Sequence, residues 1–244
     1  MDYLHPYGFE GSINIKYFIT DEGNLKLYIN DKEQIDMPVD YLPSMINDIK
    51  YIALEQQPDD LLRPFKFRSK ANIVYKLTET ALTISEWEQT NYIQIKLPVV
   101  IQFINELEEL YQAITDITDG KTPKLNYLSI YAFVGVTGNR YYISNGKLTI
   151  IDSLGNNFEI STDLVHLMLE ECSTVLPQYL SNAVSLDLQP IGYIDKIGLS
   201  FELQPMGIAI NTPNNDTIII DPSLSIAFIM ELKEITDIIP PSPT

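Results

Sequence analysis

Cysteine is nearly absent from this chain: Cys172 is the one thiol among 244 residues. No intrachain disulfide can form, which excludes a small stapled scaffold and points to a reducing, cytoplasmic address. Histidine is almost as scarce, with His5 and His166 alone, too few for a Cys/His zinc cluster within one chain. His166 sits on the apolar helical stretch Leu164-Val165-His166-Leu167-Met168-Leu169, six positions before Cys172. Six residues is not a facing distance on a helix, so the two do not form a nucleophile–base couple there. His166 reads as a partly buried helix residue and His5 as a loop residue. No apolar run approaches the roughly 18 residues of a membrane span. The opening Met1-Asp2-Tyr3-Leu4-His5-Pro6 has neither the basic nor the apolar region of a signal peptide. A soluble protein without a membrane partner is the expectation.

Positive charge is the next scarcity. Sixteen Lys and Arg stand against 33 Asp and Glu, a formal net charge of −17 with a sequence pI of about 4.3. Such a field repels phosphate backbones and anionic membranes and steers basic partners inward. The nucleotide-binding, zinc-helix and hydrolase-elbow motifs are missing as well. The expectation is a non-enzymatic protein with no cofactor and no metal. What is present is ordinary globular composition, 45% hydrophobic and 20% charged, enough to fold and bury a core.

The clearest positive signal is internal likeness. Four segments each end in a short alternating strand followed by a helix-period stretch. These last strands are Gln34-Ile35-Asp36-Met37-Pro38, Ile93-Gln94-Ile95-Lys96-Leu97-Pro98, Phe158-Glu159-Ile160-Ser161-Thr162 and Ile218-Ile219-Ile220-Asp221-Pro222. Phe103-Ile104-Asn105-Glu106-Leu107-Glu108-Glu109 aligns without a gap to Phe228-Ile229-Met230-Glu231-Leu232-Lys233-Glu234, 125 residues later. Gly23-Asn24-Leu25-Lys26-Leu27 aligns to Gly146-Lys147-Leu148-Thr149-Ile150 at a separation of 123. Two similar separations predict two duplicated halves, 1–120 and 124–244, joined through the polar Thr118-Asp119-Gly120-Lys121-Thr122-Pro123.

Local pattern fills in the halves. Val100, Phe103, Ile104, Leu107, Leu110 and Ile114 recur at helical spacing, with Asn105, Glu106, Glu108 and Glu109 assigned elsewhere on the cylinder. Leu224, Phe228, Leu232, Ile235 and Ile239 repeat the stripe. The first helix carries Pro43 in its opening turn with Asp40 as a candidate cap, and the third is expected to kink or end near Pro177. Alternating runs such as Ile13 to Ile19, Asn24 to Ile29, Ile73 to Leu77 and Leu199 to Leu203 read as strands. Asp21-Glu22-Gly23 and Asn145-Gly146 read as hairpin turns. The fold class is therefore α+β: antiparallel sheets with packing helices, four strand-strand-strand-helix units arranged as two duplicated halves.

Strands followed by one packing helix, in tandem, resemble the β4α repeats of the Pur-alpha, Whirly and positive-transcription-cofactor single-strand binders. The nearest likeness is Ile93 to Ile114, where a short strand runs through Pro98 into the amphipathic helix. The resemblance implies paired repeats with crossed helices and curved sheets whose basic and aromatic residues hold unpaired bases. Here Asn, Thr, Glu and Asp largely replace the basic sheet residues. The layout is also similar to sliding clamps, which combine four helices with antiparallel sheets in an acidic chain of like length. Clamps line their pore with basic helices. The helices here carry Asp48, Glu106, Glu108, Glu109, Glu170, Glu171, Glu231 and Glu234 against Lys50 and Lys233.

One segment has local nucleic-acid chemistry. Leu62-Arg63-Pro64-Phe65-Lys66-Phe67-Arg68-Ser69-Lys70 interleaves four cations with two aromatics, so Arg63, Phe65, Lys66, Phe67, Arg68 and Lys70 are the candidate contacts for phosphates and bases. The structural alternative is a strand that buries Phe65 and Phe67 and solvates its cations. The functional expectation is protein binding or assembly, with a basic protein partner or a second copy of the chain. Single-strand nucleic-acid binding and a clamp-like subunit are the alternatives.

Overall fold

Each of four groups of β-strands leads through a tight turn into an α-helix in the computed structural model, which describes residues 2–30, 32–55, 65–69, 72–182, 193–194 and 197–239. The first group is β1 (Leu4–Gly11), β2 (Ile15–Ile19), β3 (Asn24–Ile29) and β4 (Lys32–Pro38), followed by α1 (Leu42–Lys50). The second is β5 (Phe65–Arg68), β6 (Ile73–Leu77), β7 (Ala81–Glu86) and β8 (Tyr92–Lys96), then α2 (Val100–Thr118). The third is β9 (Leu128–Gly135), β10 (Arg140–Ser144), β11 (Lys147–Ile151) and β12 (Asn157–Ser161), then α3 (Val165–Asn182). The last is β13 (Tyr193–Ile194), β14 (Ser200–Gln204), β15 (Gly207–Asn211) and β16 (Thr217–Ile220), then α4 (Ser225–Ile238). The protein is thus α+β, with antiparallel sheets and packing helices.

Two compact units form, 7–130 and 131–244 with 1–6. In the first, β1 to β4 and β5 to β8 run as meanders, and Phe9, Tyr17, Leu25, Leu27, Tyr75, Ile84, Ile93, Phe103 and Leu107 enter one core. Alternation decides this. Ile93 and Ile95 are buried while Tyr92, Gln94 and Lys96 are exposed along β8, as a two-residue period on a half-buried sheet requires. Helices α1 and α2 pack together here. In the second unit Phe133, Tyr141, Phe158, Phe201, Ile210 and Phe228 are buried, and α3 packs on α4. Among the described residues no helix is long and apolar enough to cross a membrane.

Several local expectations are corrected. His5 and Pro6 are strand residues of β1; Pro6 disguises the run, because proline inside an alternating segment argues against a central strand. Asp40 makes no cap bond to α1, which is entered through the single turn Val39–Tyr41. Of the two outcomes expected at Pro177, a kink or an end, the end is not found: α3 continues to Asn182, with Val175 and Leu176 buried beside the proline. That burial outweighs one lost backbone hydrogen bond. The acid Asp221, by contrast, does cap its turn, accepting from Ser223 N at 2.8 Å and Ser223 Oγ at 2.7 Å. These bonds hold its carboxyl below the usual range.

Candidate functional site: two buried carboxylates and a cationic sheet face

Glu106 and Glu231 are both fully buried, at 0% exposure, which removes them from the acidic helix surface to which the spacing had assigned them. The reason is positional. Glu106 follows Phe103 by three residues and precedes Leu110 by four, so it lies within the apolar stripe of α2. A carboxylate there survives only if donors reach it. In the first unit Ser12 N donates to Glu106 Oε1 at 2.9 Å and Ser12 Oγ at 2.6 Å, and Tyr17 OH donates to Oε2 at 3.0 Å. Gln102 Nε2 donates in turn to Ser12 Oγ. In the second unit Thr137 N and Thr137 Oγ1 donate to Glu231, each at 2.7 Å, and Tyr141 OH donates to Glu231 Oε2.

Glycine makes room for both acids. A Cβ on Gly11 would lie 2.0 Å from Glu106 Oε2, and one on Gly135 would lie 2.3 Å from Glu231 Cδ. Burial, with the neighbouring carboxylate second, pushes the Tyr17 and Tyr141 hydroxyls well up, so both remain protonated donors. Burial also raises Glu231, against the lowering effect of the Tyr141 and Thr137 bonds.

One turn further along each helix a second glutamate gathers backbone donors at the start of a strand. Glu109 accepts from Asn126 N at 2.6 Å and from Tyr127 N and Leu128 N at 2.8 Å each. Glu234 accepts from Asp2 N at 2.7 Å, Tyr3 N at 3.2 Å and Leu4 N at 3.1 Å. A carboxylate receiving three amides is a structural clamp of the chain entering β9 or β1. All four glutamates thus accept hydrogen bonds from donors inside the fold.

The 63–70 segment divides differently. Arg63 and Lys70 lie outside the described residues. Phe65, Lys66, Phe67 and Arg68 form β5. Register sorts them: Phe65 and Phe67 stand opposite Leu77 and Tyr75, whereas Lys66 and Arg68 stand opposite Lys76 and Val74. Leu77 and Tyr75 are buried and Lys76 is exposed. A two-residue period therefore places the aromatics and cations of β5 in different rows. Arg68 itself is exposed; its guanidinium lies 4.0 Å from the centroid of the Trp87 ring, and Arg68 Nη2 donates to Asn72 Oδ1 at 2.6 Å.

The rows continue across the sheet. Lys66, Lys76, Thr83 and Gln94 share one, and Arg68, Val74, Ser85 and Tyr92 the next. On this face Lys76, Gln94 and Lys96 are exposed, with Tyr92 at 54% and Trp87 at 37% exposure. Trp87 was not among the residues nominated from the linear segment, because only the folded sheet brings it beside Arg68; Tyr92 shares the Arg68 row but stands three strands away on β8. Among the described residues no three His, Cys, Asp or Glu side chains converge as a metal site.

No family model matches this chain, and no curated protein matches it. Among solved structures it is similar to a streptogramin B lyase structure at 9% identity and a TM-score of 0.15, over 89% of this chain and 55% of that one. The chain spans about half the length of that structure, and a likeness at this score carries no argument about fold or activity.

Proposed function

We propose that this chain is a non-enzymatic assembly protein built from duplicated strand-helix repeats, which associates with further copies of itself through open sheet edges. The observation that carries the reading is the state of β5 and β13. Each is the terminal strand of a four-stranded sheet, in the orders β5-β6-β7-β8 and β13-β14-β15-β16, with no strand on its outer side among the described residues. Strands in the same place in the first and third groups have neighbours. In the first unit Ser129 Oγ donates to Glu10 O of β1 at 3.4 Å. In the second, Val136 N donates to Tyr3 O at 3.0 Å. An open row of backbone N–H and C=O groups is a template for pairing with another chain.

Duplication is supported by chemistry repeated at matching positions. Asp2-Tyr3-Leu4-His5-Pro6-Tyr7-Gly8-Phe9-Glu10-Gly11 parallels Asn126-Tyr127-Leu128-Ser129-Ile130-Tyr131-Ala132-Phe133-Val134-Gly135 at a separation of 124, with Tyr, Leu, Tyr, Phe and Gly shared. The shared glycines are those that admit Glu106 and Glu231. Pairing of β5 from one copy with β13 of the next is heterologous, and such a contact propagates until it closes into a ring or runs on as a filament. A clamp-like subunit assembles in the same manner. Its basic pore finds no counterpart in the helix positions seen exposed here, such as Ser44, Asn47, Glu108, Gln112, Glu170 and Gln178.

Sedimentation equilibrium tests the reading: oligomers are expected, and a monomer at all accessible concentrations overturns it. Mixing a Lys66→Cys chain with a Tyr193→Cys chain under oxidation then tests the contact. Disulfide-linked mixed dimers are expected. Cys172 is buried and does not compete.

A further inference from the structure

Strand β1 divides between the two units. Residues 1–6 belong with 131–244, whereas Tyr7 to Gly11 belong with 7–130. Within the unit 131–244, Asp2, Tyr3 and Leu4 are held as a bound peptide is held. Glu234 accepts from their three amides at 2.7, 3.2 and 3.1 Å, and Val136 N donates to Tyr3 O at 3.0 Å. Leu4 is buried at 1% exposure, while Asp2 and His5 are exposed. Main-chain bonds supply the grip and one buried side chain supplies the selectivity, which is the chemistry of an added strand. The covalent attachment of the segment, however, is to residues 7–130. Only non-covalent contacts keep it in the unit that it completes, and Pro6, which has no N–H to give to a ladder, stands at the division.

The same slot is built in the unit 7–130. There Glu109 accepts from the amides of Asn126, Tyr127 and Leu128, Leu128 enters the core and Ser129 is exposed. Tyr-Leu follows an acid or its amide in both segments, so each slot takes the same short sequence. We propose that the slot closed by Glu234 is a docking site for the segment Asp2-Tyr3-Leu4-His5-Pro6 of a second copy of this chain, and that two chains exchange these segments reciprocally. Exchange re-forms every bond named above, so the separate and exchanged states differ only at the Pro6 hinge and in the entropy of association, and concentration drives the pairing. The partner is fixed by identity: a second copy carries the same Leu anchor with the same three amides behind it. Such a pair closes on itself and uses neither β5 nor β13, which makes it independent of edge pairing.

Cross-linking of two full-length variants tests the exchange. Tyr3→Cys chains and Val136→Cys chains are mixed in denaturant, refolded together at high concentration and treated with a short bismaleimide. Val136 is 50% exposed, its backbone bond to Tyr3 brings the two positions within reach, and Cys172 is buried. Mixed-chain dimers are expected, in a yield that rises with protein concentration and exceeds the background given by Lys147→Cys, an exposed position on β11, in place of Val136→Cys. A large excess of the synthetic peptide Met1-Asp2-Tyr3-Leu4-His5-Pro6-Tyr7-Gly8 should abolish the dimers, and the same peptide with Leu4→Asp should not. One chain carrying both Tyr3→Cys and Val136→Cys, refolded dilute, should link within itself, which establishes that the substituted slot folds and is filled. Mixed dimers no more abundant than the Lys147→Cys background overturn the proposal, as does a yield indifferent to the peptide or the absence of the internal link. Edge pairing stands or falls on its own cross-link, between Lys66→Cys and Tyr193→Cys, so failure of one contact is distinguished from failure of the other.

Discussion

Gly11 and Glu106 are in contact across the first unit so closely that a methyl group on the glycine would lie 2.0 Å from the carboxylate oxygen. The contact explains how a helix can carry a fully buried acid: the end of β1 has no side chain where the carboxylate enters. Gly11→Ala should therefore destabilise the protein by about 1–3 kcal/mol, the usual cost of overpacking. Gly135→Ala should do the same against Glu231. Gly120→Ala, where an added Cβ meets nothing within 4 Å but φ is +71°, carries backbone strain alone and should cost about 1 kcal/mol. Denaturant unfolding of the three variants measures the difference.

The buried carboxylates anchor donors that have no other partner of equal strength. Glu106→Leu strands the buried Tyr17 hydroxyl, at about 1–3 kcal/mol for a buried donor left unpaired, while the exposed Ser12 can turn its donors to water. Pairing it with Tyr17→Phe should recover part of that loss, because the orphaned hydroxyl is removed together with its acceptor. A double-mutant cycle with a coupling energy near zero would show that the bond between Tyr17 and Glu106 contributes nothing.

Glu231 gives the protein a pH dependence of definite sign. Its carboxyl is raised by burial above the ordinary 4.5, so the native state holds this proton more tightly than the unfolded chain does. The contribution is full below 4.5 and is lost as pH rises through the higher native value. Glu231→Gln should flatten this part of the stability profile. Unfolding free energies of the parent and the variant across the acid range test it, and a parent slope unchanged by the substitution would count against the assignment.

Glu109 and Glu234 act on the backbone rather than on the core. Removing either carboxylate frees three successive amides at the start of a strand. Glu109→Ala should accelerate hydrogen exchange at Asn126, Tyr127 and Leu128, and Glu234→Ala at Asp2, Tyr3 and Leu4. Each effect should remain within its own unit. Exchange rates at these six amides unaltered by the substitutions would show that the carboxylates are not their acceptors in solution.

Much of the architecture was legible in the linear pattern. Val100, Phe103, Leu107 and Leu110 repeat at helical spacing and are all buried in α2, and the alternation of Ile93 and Ile95 with Gln94 and Lys96 marks β8. Strand β1 was obscured by Pro6, although its counterpart β9 has isoleucine at the matching position. Glu106 was misassigned by residue type, since a glutamate is ordinarily solvated; its place three residues after Phe103 and its repetition at 231 were the available signals. The basic-aromatic segment was legible as composition but not as a surface. Register sets Phe65 and Phe67 opposite Leu77 and Tyr75, and the ring partner of Arg68 is Trp87, which follows β7.

The sequence by itself determined the periodicities, and with them the four strand groups and their helices, because burial of an apolar row or stripe is a local consequence of spacing. It also determined the charge imbalance and the single thiol. Tertiary structure decided what Ser12, Tyr17, Gly11 and Glu106 are for, because the donors and the acceptor are separated by about ninety residues and become partners only when α2 is laid against the β1–β2 turn. It likewise decided which cations share a face with Trp87 and Tyr92, since cross-strand register, rather than order along the chain, sets the neighbours of a side chain on a sheet.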